Sequence, residues 1–129
     1  MPRTQVELTE AEWSIIKAVW DREPCSAPEI QTTLYRSTKW AYSTVRTLMD
    51  RMAAKGLLCA EKARNSTVYR SLVTREQARR GELLYALKHA FDGALTPMVQ
   101  QLIETRDLTP GELDQLEALL RDKRKRTRN

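Results

Sequence analysis

A mainly α-helical fold is predicted by three observations. Four capping-box pairs each precede an apolar stripe, only one stretch reads as paired strands, and charge is gathered into islands rather than spread evenly. With 129 residues the chain is expected to form one compact domain, or a small one with an appendage. At 41% hydrophobic and 30% charged it can bury a core and still present a polar surface.

A capping box, a Ser or Thr followed three residues later by Glu or Gln, satisfies two orphan backbone donors reciprocally. Thr9 with Glu12 opens a helix whose apolar residues Trp13, Ile16, Val19 and Trp20 recur at helical spacing. Ser26 with Glu29, and Pro28 in the first turn, opens a short helix carrying Ile30 and Leu34. Residues 42 to 55 place Val45, Leu48, Met49 and Met52 in one stripe, and Gly56 follows where a C-terminal cap wants a left-handed residue.

Next come two extended candidates, 57 to 62 and 67 to 72, separated by Ala63-Arg64-Asn65-Ser66, whose Asn-Ser pair suits a turn. They predict a hairpin with a basic, polar tip. Thr74 with Gln77 opens a longer helix carrying Leu83, Leu84, Leu87, Ala90 and Phe91. Residues 96 to 105 form another, starting at Thr96-Pro97 just after Leu95. Thr109 with Glu112 opens the last, with Pro110 in the first-turn slot that tolerates a missing N–H.

The net charge of +5 hides its distribution. Residues 1 to 35 and 71 to 120 each carry −3, whereas residues 36 to 70 carry +6 and residues 121 to 129 carry +5. The first positive island coincides with the third helix and the hairpin. Winding that helix with its apolar stripe inward puts Ser43, Thr44, Arg46, Thr47 and Arg51 on the outer face, with Tyr42 at its start. Arginine can bridge guanine O6 and N7, and hydroxyls suit phosphates or base edges. Asp50 also lies outward, where it is expected beyond the backbone contact or accepting from a cytosine amino group.

On a lone helix such a face reads more readily as solvated surface. Three helices followed at once by a basic-tipped hairpin are, however, the element order of a winged helix-turn-helix, in which the third helix enters the major groove. Arg64, Asn65 and Ser66 at the wing tip, flanked by Lys62 and Arg70, are then phosphate or minor-groove candidates. The expected organisation is a winged-helix domain over 1–73, a helical dimerisation region over 74–120 and a flexible basic tail over 121–129.

Catalysis is not expected. The chain has one histidine, no Gly-rich phosphate loop, and carboxylates placed mostly at helix starts and exposed faces. Cys25, Cys59 and His89 match no zinc-ligand spacing, so neither a metal nor another cofactor is predicted. Trp13 and Trp20 sit at core spacing, while Trp40, just before the third helix, is open to a DNA-side role. No apolar run approaches a membrane span and the N-terminus lacks a signal-like stretch, so a cytoplasmic protein is expected. The rival to DNA binding is a non-catalytic interaction module, a helical adaptor or antitoxin whose basic patch meets an acidic partner.

Several short motifs carry a resemblance. Ala11-Glu12-Trp13, Val19-Trp20-Asp21, the Ser26-Ala27-x-Glu29-Ile30 opening, Thr44-Val45-Arg46-Thr47-Leu48-x-x-Arg51, Val68-Tyr69 and Phe91-Asp92-Gly93 are similar to the penicillinase-repressor (BlaI/MecI/CopY) family. The resemblance spans roughly residues 7 to 121 and implies a homodimeric transcriptional repressor on a palindromic, double-stranded operator. The chain itself supports a dimer. Leu95, Met98, Val99, Leu102, Ile103, Leu113, Leu116, Leu119 and Leu120 lie on two short helices that could not bury them alone.

In β-lactam-responsive members a membrane sensor protease triggers cleavage at an Asn-Phe bond, and the matching position is Gln101-Leu102. The resemblance therefore implies such a protease as a partner and that bond as a cleavage candidate, although neither residue is the family's. Copper-responsive members carry a C-terminal cysteine cluster, and this chain has no cysteine beyond Cys59.

Overall fold

The computed structural model describes residues 6–128. Their order is α1 (Glu10–Arg22), β1 (Cys25–Ser26), α2 (Ala27–Thr38), α3 (Tyr42–Ala54), β2 (Leu58–Ala63), β3 (Ser66–Ser71), α4 (Arg75–Phe91), α5 (Leu95–Thr105) and α6 (Pro110–Arg128). The chain is mainly helical, as expected. All four capping boxes close: Thr9 with Glu12, Ser26 with Glu29, Thr74 with Gln77 and Thr109 with Glu112. Gly56, at φ 83, takes the left-handed conformation foreseen after α3.

The sheet has one strand more than the sequence predicts. Its order is β1-β3-β2, and β1 pairs antiparallel with β3 through Cys25↔Tyr69 and Ser26↔Val68. Two residues are too few to show a period-two pattern, and Ser26 also serves as the N-cap of α2. The β2–β3 hairpin is registered from Leu58↔Ser71 to Ala63↔Ser66, so Arg64 and Asn65 alone make the turn.

Two compact units divide the chain, Met1–Tyr85 and Ala86–Asn129. The boundary therefore falls inside α4, not at 73/74. The first half of α4 belongs to the N-terminal unit because it packs there: Ala78 is buried, and a Cβ on Gly81 would meet the Val6 carbonyl oxygen at 1.7 Å. Leu83 and Leu84, expected as the apolar stripe of this helix, are exposed.

The N-terminal core joins Ile15, Ile16 and Val19 of α1, Ile30 of α2, Val45, Met49 and Met52 of α3, and Leu58 and Tyr69 of the hairpin. Trp13 and Trp20 meet edge to face at 6.3 Å and flank that core. Their indole N–H groups donate to Glu82 at 3.3 Å, and to Ser71 at 3.0 Å and the Val73 carbonyl at 2.8 Å. Both tryptophans are thus structural, and Trp40 also packs partly buried against the core.

In the C-terminal unit, α6 continues to Arg128 rather than giving way to a flexible tail after residue 120. The physical reason is local. Lys and Arg are good helix formers, and cations at a helix C-terminus interact favourably with its dipole. Neither α5 nor α6 has a buried residue.

Candidate nucleic-acid interface

The third helix is held by its inner face. Val45, Met49 and Met52 are wholly buried, Leu48 packs partly against the same core, and that anchoring decides which side chains remain outside. Ser43, Thr44, Thr47 and Arg51 are exposed on α3, Tyr42 is exposed at its first turn, and Arg46 is half-buried. Ser43, Thr44, Thr47 and Arg51 line a shallow depression with Leu48. On the other flank of α3, Tyr42 and Arg46 share a cleft of 700 Å³ with Lys62, Arg64, Asn65 and Ser66 of the hairpin. The residues singled out in the sequence on α3 and at the hairpin tip thus line two separate depressions, one of which joins α3 to the hairpin.

Arg64 sits at φ 53, in the left-handed region that most side chains avoid, so the tight turn holds its guanidinium at the hairpin tip. The Ser66 hydroxyl donates to the Ala63 carbonyl at 3.3 Å across that turn. Arg70 faces Glu61 at 3.9 Å with both side chains half exposed, a pairing too solvated to fix either group.

Around Arg46 the contacts are closer. Its Nε donates to Asp50 Oδ2 at 3.2 Å and its Nη1 to the Tyr42 hydroxyl at 3.3 Å. Asp50 Oδ1 accepts from the Tyr69 hydroxyl at 2.8 Å. Asp50, expected outward and either beyond the backbone contact or accepting from a cytosine amino group, is thus engaged within the chain by Arg46 and Tyr69. Burial first, and the Asp50 carboxylate second, push the Tyr69 hydroxyl up to about 12. Tyr69 therefore donates at any physiological pH. The hydrogen bond to Tyr42, then the influence of Tyr69 and Asp50, raises Arg46 further above its already high value.

Tyr69 is the participant that sequence reasoning missed. A buried tyrosine needs a partner for its hydroxyl, and Arg46 and Asp50 stand four apart on one helix, so both halves were visible separately. Only the tertiary fold joins them. The cysteines form no site: burial pushes the Cys25 thiol up to about 11, and Cys59 lies half-buried on β2. Among the described residues no group of His, Cys, Asp and Glu side chains could hold a metal ion. Nor, among them, is any helix long and apolar enough to cross a membrane.

The nine residues assigned to dimerisation lie on α5 and α6. All but Met98 are exposed within the single chain, up to 72% for Leu120. Gln101 and Leu102 lie in the middle of α5, also exposed.

Three helices, a small sheet with a basic-tipped hairpin, and a hydroxyl- and guanidinium-bearing face on α3 define a winged-helix DNA-binding protein. The sequence pattern of the penicillinase repressors matches residues 8–122, and the chain belongs to that family. The methicillin resistance regulatory protein MecI of Mammaliicoccus sciuri is 25% identical over 123 residues, covering 95% of this chain and 100% of its own. The penicillinase repressor of Staphylococcus aureus is 25% identical over 122 residues, covering 95% and 97%. Among solved structures, the DNA-binding domain of the repressor BlaI has the same fold, with a TM-score of 0.50 and 22% identity over 55% of this chain and 87% of that one.

Proposed function

We propose that this protein represses transcription as a homodimer on a palindromic operator, with α3 of each subunit in the major groove and the wing on the adjacent backbone. The observation that carries this reading is the contrast across α3. Val45, Met49 and Met52 of its inner face are wholly buried, whereas Ser43, Thr44, Thr47 and Arg51 stand exposed on a helix that also carries Arg46, next to a hairpin tip bearing Arg64. A groove-reading helix needs that division, because the buried side fixes its angle while the outer side meets base edges. The names of the relatives, a resistance regulator and a penicillinase repressor, point the same way.

Dimerisation accounts for the apolar faces of α5 and α6. Exposed leucines at this density call for a partner surface, and a two-fold arrangement sets two reading helices on half-sites about one DNA turn, or a multiple of it, apart. Repression is relieved by a signal acting on the C-terminal region, either an effector or proteolysis. Cleavage at Gln101-Leu102 by a membrane sensor protease would sever α5 and leave each winged helix with half the contacts. An intact chain, seen by mass spectrometry during derepression, would eliminate the proteolytic route.

Footprinting on DNA upstream of the protein's own and neighbouring genes should show a protected dyad. Arg46→Ala should flatten base preference at one position of each half-site by about 1–3 kcal/mol. Arg64→Ala should instead weaken all duplexes alike and lower the salt dependence of binding. Affinity indifferent to sequence, with no protected dyad, would overturn the reading.

A further inference from the structure

Tyr69, Asp50 and Arg46 form a relay from the wing strand to the reading helix. Tyr69 is wholly buried on β3, and its hydroxyl reaches Asp50 Oδ1 at 2.8 Å. One turn earlier on α3, Arg46 donates Nε to the other carboxylate oxygen at 3.2 Å, and Tyr42 holds Nη1 at 3.3 Å. An exposed Arg–Asp pair spaced four apart is weak and mobile by itself, because two long side chains must be ordered in water. Here the carboxylate is pinned by a hydroxyl that packing already immobilises. The arginine is then oriented before any ligand arrives, and the entropic cost of ordering it is met during folding.

The contacts also ration the guanidinium's donors. Nε and one Nη1 hydrogen are committed, leaving the second Nη1 hydrogen and both on Nη2. Those remaining donors form the end-on fork that matches guanine O6 and N7. Asp50 has a second effect, since its charge opposes phosphate and lowers affinity for every duplex while favouring the one whose base satisfies Arg46.

We propose that Asp50 and Tyr69 are positioning residues that hold Arg46 as a guanine-reading side chain, so that the wing strand sets the base preference of the reading helix. This rests on α3 being the DNA-contacting helix. The test uses the full chain as wild type, Asp50→Ala, Tyr69→Phe, Arg46→Ala and the Arg46→Ala/Tyr69→Phe pair. Each is challenged with a randomised duplex pool read by sequencing, and with a duplex of unrelated sequence at fixed salt.

Tyr69→Phe should narrow guanine preference at one position per half-site about three- to tenfold, the worth of one orienting hydrogen bond, and leave affinity for the unrelated duplex unchanged. Asp50→Ala should weaken the same preference while raising affinity for the unrelated duplex, opposite signs that a merely structural role would not produce. Adding Tyr69→Phe to Arg46→Ala should change nothing further. A preference unchanged in Asp50→Ala, or in a folded Tyr69→Phe, overturns the positioning role, as does a uniform loss across all duplexes. Should Tyr69→Phe fail to fold, Asp50→Ala, at an exposed helical position, decides alone. If Arg46→Ala itself alters preference nowhere, the assignment of α3 has failed instead.

Discussion

The two units are built from similar helices and bury very different amounts. Every buried apolar side chain among the described residues lies between Val6 and Ala78, whereas α5 and α6 bury none. Both regions have capped helix starts and apolar residues at helical spacing. Local order therefore does not distinguish a region that closes its own core from one that leaves its apolar stripe exposed. What distinguishes them is the destination of the stripe. In the N-terminal unit three helices and a sheet converge on it, and in the C-terminal unit two helices are too few to cover it.

That contrast is most sharply tested in the core. Ile16 is wholly buried, and Ile16→Ala should destabilise the N-terminal unit by about 2–5 kcal/mol, read from the denaturant midpoint. A smaller loss would mean that this core packs more loosely than its burial indicates.

The next largest effect concerns the buried charge of the N-terminal unit. Glu12 is only 4% exposed and receives Lys55 Nζ at 2.7 Å as well as the Thr9 backbone N–H at 2.9 Å. Burial alone would push its carboxyl up, yet the hydrogen bond from Lys55 and that from Thr9, with the Lys55 charge, together hold it below the ordinary value. A depressed carboxylate adds stability above its unfolded pKa and loses it as pH falls through the folded one. Lys55→Ala should cost about 1–2 kcal/mol at neutral pH, and the penalty should shrink in acid as Glu12 takes up a proton. A penalty independent of pH would show that the lysine acts through packing alone.

The smallest effect on folding should come from the other unit. Leu116→Ala removes an exposed side chain and should shift the melting of the N-terminal unit by less than about 0.5 kcal/mol, while weakening self-association in sedimentation equilibrium. A large loss of stability in dilute, monomeric protein would erase the distinction between the units.

Much of the fold was legible because its signals are local. Capping boxes, apolar periodicity and the Arg64-Asn65 turn each act within a few residues, and the outer face of α3 follows from its inner one. The features that escaped depend on distance or on competing readings. β1 is two residues whose strand character exists only against β3. The run from Arg121 to Arg128, exposed throughout, was expected as a flexible tail rather than a helix because charge conceals helix propensity. The contact of Tyr69 with the candidate site required knowing that β3 passes beside Asp50. Gly81, an isolated glycine within a helical stretch, was the one available sign that a backbone approaches α4.

Ser26 gives the wing a property that a simple hairpin would lack. It is at once the register partner of Val68 and the residue whose hydroxyl caps the first turn of α2. A single residue stitches two elements, so the hairpin is not a free flap hinged only at its own strands. In the proposed complex, force applied along β3 would pass through this stitch into α2, so that bending the wing against a duplex would strain the helix preceding α3. Wing and scaffold would then yield together rather than separately.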